Sequence, residues 1–160
     1  ESWCTEFDRD GRYALPDMQK NKRYNVKTSL VIPAALPWES DKSMALYFQP
    51  SIVIYDVENL NGCYIKCKDV NHGMEYGFRN LRRIRSSDYW AETNCSDPDF
   101  QGCCLITELC EENHLLKGRL LFSDNKEEED PDEFYPVTLK DGKLKWSLNG
   151  NGDIFTFILK

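Results

Sequence analysis

Seven cysteines carry most of the chemistry open to this chain, and four of them, Cys95, Cys103, Cys104 and Cys110, fall within sixteen residues. Thiols so placed can be cross-linked, hold a metal or act as nucleophiles. Structural zinc takes ligand pairs about two to four residues apart, repeated to give a tetrahedral set. Cys63 and Cys67 have such a gap and His114 is a candidate further ligand, but the adjacent Cys103 and Cys104 cannot easily share one ion. A thiol activated by His114 would have to stay unbridged. Disulfides suit the pattern best, drawn from Cys4, Cys63, Cys67, Cys95, Cys103, Cys104 and Cys110 with one left unpaired, and the pairing cannot be read from the letters. No metal or cofactor is expected.

Bridged cysteines belong to an oxidising compartment, so the chain reads as a mature secreted or lumenal protein. Asn94-Cys95-Ser96 is its N-glycosylation sequon, a weak one because cysteine holds the middle position. The net charge of −7 argues against general nucleic-acid binding and leaves room for a basic protein partner. With two histidines, His72 and His114, and no Gly-x-Ser-x-Gly, phosphate loop or metalloprotease spacing, the chain does not read as an enzyme.

The elements that must position these groups are mostly strands. Residues 1–160 read as one domain, large enough to bury a core of its own. Alternation marks strands at 24–32, 44–48, 51–57, 63–68 and 117–123, and a closing meander through 137–139, 144–148 and 154–159 with turns at Lys140-Asp141-Gly142 and Asn149-Gly150-Asn151-Gly152. Pro98 and Gly102 make the cysteine-rich stretch 95–110 an irregular loop, and Asp124–Glu133 is a like-charge run expected to be exposed and mobile. Phe78, Leu81 and Ile84 at spacings of three suggest a short amphipathic helix that fans out Arg79, Arg82, Arg83 and Arg85. The fold class is therefore all-β: an antiparallel two-sheet sandwich, immunoglobulin-like, with a lipocalin-like β-barrel as the alternative.

The stretch Asn94-Cys95-Ser96-Asp97-Pro98 through Gly102-Cys103-Cys104, then 110–118 and 143–160, resembles the ganglioside activator proteins and, more loosely, the ML (lipid-recognition) domains, over roughly residues 44–160. The chain departs from them at Phe155 and Phe157, where many relatives carry a cysteine, and in an enlarged acidic loop. That resemblance implies a sandwich whose sheets part to admit a lipid or other hydrophobic ligand. The inward rows would be Leu30, Ile32, Leu46, Phe48, Ile54, Leu144, Trp146, Phe155 and Phe157. Leu36, Trp38 and Trp90 would sit with the four arginines at the cavity mouth, in transient contact with a membrane surface. The rival reading is a secreted protein-binding module, an immune modulator or ligand scavenger, with a filled core and an acidic loop for a basic partner.

Overall fold

A computed structural model describes residues 19–25, 28–32, 44–48, 51–68 and 73–160. Cys4, Leu36 and Trp38 lie outside these residues, as do the side chains of Leu30, Ile32, Leu46 and Phe48.

In chain order the strands are β1 (Arg23–Asn25), β2 (Thr28–Ile32), β3 (Met44–Phe48), β4 (Ser51–Val53), β5 (Ile65–Cys67) and β6 (Tyr76–Arg85). There follow β7 (Asp88–Cys95), β8 (Cys103–Glu112), β9 (Leu115–Ser123), β10 (Tyr135–Lys140), β11 (Lys143–Trp146) and β12 (Ile154–Leu159). β1 pairs with β4, and β2 with β3, as two small separate ladders. The remaining strands form the body of the protein. β5, β6, β7, β8, β9 and β12 bond in that order, and β12 returns to β5, giving a closed antiparallel ring of six. The all-β class expected from the alternation is thus present, in the barrel arrangement rather than as two facing sheets. β9 makes this possible by dividing one side between two partners. Its residues Leu116 to Arg119 face β12, and Leu121 and Phe122 face the β10–β11 hairpin.

The expected helix at 78–84 is instead β6, and the reason is a bulge. Asn80 takes a left-handed conformation (φ 55°) where the β6–β7 register shifts, so Phe78 and Leu81, three apart, both point inward. The inserted residue imitates a helical period. β8 repeats the device at Glu108 (φ 55°), which brings Ile106 and Leu109 to the same interior. The cysteine-rich stretch is also more regular than expected. Pro98 and Gly102 confine the irregular part to a single-turn helix, Pro98–Phe100, and its flanks, while Cys103 to Cys110 run within β8. Tight turns close the hairpins, with positive φ at Asn113-His114 and at Asp141-Gly142, the backbone signature of the commonest two-residue hairpin turn.

Eight strands leave a barrel interior just wide enough for side chains to fill. Six leave less. Here Ile65, Phe78, Tyr89, Ile106, Leu116, Leu120 and Phe157 are all buried, with Phe78 and Phe157 meeting edge to face at 6.0 Å. Each such side chain contributes roughly 1.5–3 kcal/mol of burial. Side chains also stopper both ends. At one, Leu60 tucks in, its N–H donating to the Tyr89 hydroxyl at 3.1 Å while that hydroxyl donates to the Val57 carbonyl at 2.9 Å. At the other, Phe100 stacks on Phe122 at 4.4 Å, and the β10–β11 hairpin brings Val137 and Leu144 into the same core. A smaller apolar cluster of Cys103, Leu105 and Phe134 lies apart from it, packed against Trp90 and Leu121, the alternate residues of β7, β8 and β9.

Candidate functional site

On the outside of β6 and β7 the structure forms an open groove of about 820 Å³ lined by Arg79, Asn80, Arg82, Trp90, Glu92, Thr93, Gln101, Gly102, Lys126, Glu127 and Glu129. Its floor follows from alternation: Tyr89 and Ala91 point into the barrel, so Trp90 and Glu92 point out. Trp90 is fixed by packing on the smaller cluster and by its indole N–H, which donates to the Glu128 carbonyl at 3.0 Å.

The far wall is the acidic run. Expected as an exposed, mobile segment, Asp124 to Glu133 is exposed but shaped by its own side chains. The Asn125 carboxamide accepts from Glu127 N–H at 3.2 Å and donates to the Glu128 carboxylate at 3.2 Å. The Glu128 carboxylate in turn accepts from the N–H groups of Glu129 and Asp130, each at 3.1 Å. Buried Phe134 pins the end of the run against Cys103 and Leu105. The Cys103 thiol, beneath it, donates to the Asn125 carbonyl at 3.1 Å.

The four arginines divide into two pairs. Arg79 meets the Glu92 carboxylate at 2.8 Å, shared with the Asn80 amide at 3.2 Å, and Arg82 meets Glu129 at 3.3 Å while lying 5.1 Å over the Trp90 ring. These two are in the groove. Arg83 donates to the Ser86 and Glu58 carbonyls at 2.7 and 3.1 Å, and Arg85 pairs with Asp88 at 2.8 Å, so both tie down the β6–β7 turn. Three of the four charges are balanced by carboxylates, which weakens the patch as a lure for anions.

Of the residues assigned to an internal cavity, Leu144, Phe155 and Phe157 are buried in the barrel core. Ile54 and Trp146 are 39% and 42% exposed, and Trp146 rests beside Tyr135 and Phe122 at ring distances of 5.5 and 6.1 Å. Among the described residues, Cys63, Cys95, Cys103, Cys104 and Cys110 carry thiols rather than bridges. The register explains part of this. Cys104 lies opposite Ala91, four residues before Cys95 on β7, so the two are not cross-strand partners. Cys95 donates instead to the Phe100 carbonyl at 3.1 Å, closing the 96–102 turn. Burial pushes the thiols of Cys63, Cys95 and Cys103 up, and that of fully enclosed Cys104 well above the usual range. No cluster of three or more His, Cys, Asp or Glu suited to a metal occurs among the described residues.

The sequence did not point to Glu92, Thr93, Lys126, Glu127 or Glu129 as one site. Glu92 could have been found from its alternation with Trp90, but the approach of 126–129 depends on Phe134 turning inward. Comparison with known protein families, curated proteins and solved structures gives no match. Fold and groove together describe a six-stranded antiparallel barrel with buried apolar side chains inside and an outward-facing cleft that carries Glu127 and Glu129 on one wall.

Proposed function

We propose that this protein is a non-catalytic binding module that takes a basic segment of a partner protein into the outer groove. One observation carries the reading: the groove sets an anchored Trp90 against Glu127 and Glu129, which belong to a run, Asp124 to Glu133, of seven acidic residues and one lysine. Aromatic floors with charged rims are the usual makeup of interface hot spots, and opposite charge speeds encounter. Apart from Glu129 with Arg82, no carboxylate of that run is ion-paired among the described residues, so Glu127 keeps its charge on a lining where Glu92, Glu127 and Glu129 face Arg79, Arg82 and Lys126. The packed barrel favours this reading over a lipid held inside. An extracellular or lumenal setting is part of the proposal and requires that cysteines carrying thiols in this structure be bridged in the mature protein.

Calorimetric titration of the intact protein with an arginine-rich peptide tests it. Binding should weaken steeply with salt and be lost in Glu127→Lys/Glu129→Lys. Binding indifferent to that charge reversal would overturn the groove assignment. A lipid adduct seen by native mass spectrometry on protein from a eukaryotic host, lost on organic extraction, would restore the carrier reading.

A further inference from the structure

The groove already contains a cation of the kind it is proposed to receive. Arg82 lies with its guanidinium 5.1 Å from the Trp90 ring centre and 3.3 Å from the Glu129 carboxylate. A cation over an aromatic face, flanked by a carboxylate, is the contact a partner's arginine or lysine would make there. We infer that Trp90 and Glu129 form a subsite for one guanidinium or ammonium side chain of the partner, and that Arg82 is its internal placeholder, displaced on binding. This rests on the reading of the groove given above.

The two sides of the contact are built differently. Trp90 is held at its indole nitrogen by the Glu128 carbonyl at 3.0 Å and packed on the Cys103–Leu105–Phe134 cluster. Arg82 has more than half its side chain in water, as does Glu129, and neither makes another side-chain hydrogen bond among the described residues. Such exposed pairs are worth little to the fold, so the arginine can leave at small cost while the ring stays in place. Arg79 is not the placeholder, because it pairs with Glu92 and, among the described residues, the cation over the Trp90 ring is Arg82. Lys126 and Glu127 are the other charges on the lining near the wall, and neither has an ion-pair partner among the described residues.

The test compares the intact protein with Arg82→Ala, titrating both with the arginine-rich peptide and with methylguanidinium alone. Removing the placeholder should tighten peptide binding by roughly two- to fivefold, the scale of one exposed cation–π contact. Methylguanidinium should compete with the peptide only in the variant. Adding Trp90→Leu to Arg82→Ala should abolish the gain, with thermal midpoints reporting that each variant is folded; Glu129→Gln in the same background repeats the test should the leucine variant not fold. Equal affinity of parent and Arg82→Ala would overturn the placeholder while leaving the groove reading intact. Weaker binding by Arg82→Ala would also overturn it, since Arg82 would then be a contact for the ligand. Failure of every form to bind the peptide would remove both proposals.

Discussion

The hydroxyl of Tyr76 donates to the Asp97 carboxylate at 2.7 Å, and both residues are buried where the 96–102 turn covers one end of the barrel. The other Asp97 oxygen accepts from Asp99 N–H at 3.0 Å, so one carboxylate ties the first residue of β6 to the single-turn helix.

Burial first, and then the hydrogen bond and charge of Asp97, push the Tyr76 phenol up to about 12. The folded state thus holds this proton more tightly than the unfolded chain. Its contribution is complete below the ordinary tyrosine value of about 10 and is lost as pH rises through the folded value. Tyr76→Phe should cost about 1–3 kcal/mol at neutral pH, because Asp97 loses a buried donor, and should flatten the alkaline loss. Urea unfolding of parent and variant at pH of about 7 and 11 decides this, and parallel curves would refute it.

Gly102 is required by proximity rather than by its dihedrals. A Cβ there would lie 1.9 Å from the Ser123 carbonyl oxygen, and the residue is held by Thr93, whose hydroxyl accepts from its N–H at 2.9 Å. The obstacle is backbone, which cannot swing aside. Gly102→Ala should therefore cost at least about 3 kcal/mol, lowering the thermal midpoint sharply or leaving the protein insoluble. An unchanged midpoint would mean that β8 and β9 do not approach this closely.

Thiol labelling offers a third measurement. Cys110 is exposed on β8 and Cys104 is enclosed in the core, its thiol pushed well up by burial. In reduced protein a maleimide should modify Cys110 first, and Cys104 on the order of a thousandfold more slowly, only through unfolding. Comparable rates would contradict the inward direction of Cys104. A pair of cysteines that reacts only after a reductant is added would identify a bridge.

The β10–β11 hairpin was legible because Asp141-Gly142 marks its turn, and β12 because Phe155, Phe157 and Leu159 follow a plain period of two. The expected meander is not formed, since β12 pairs with β9 and β5 instead of β11, and Trp146 and Leu148 are exposed. β6 was misread because the bulge at Asn80 spaces Phe78 and Leu81 as a helix would. The Cys103–Cys110 run reads as irregular when the effect of Pro98 and Gly102 is extended to the whole stretch, although Cys104 and Ile106 alternate with Cys103 and Leu105 in the ordinary way. Whether strands face one another or close on themselves depends on β12 meeting β5 across most of the chain, and local pattern carries no information about so distant a partner. The groove was hidden for the same reason, since Arg82, Trp90 and Glu129 come together only after folding.

The division of β9 between two neighbours has one further consequence. β12 satisfies rows of backbone groups on β5 and on β9 together, so removing residues 154–159 would open the closed ring and leave bare edges on both of those strands. Such edges are templates for pairing between molecules, and the ladder that hides them joins residues as far apart in sequence as Ile65 and Leu159. Closure of that high-contact-order seam is expected to come late in folding, leaving an interval in which the chain is prone to aggregate.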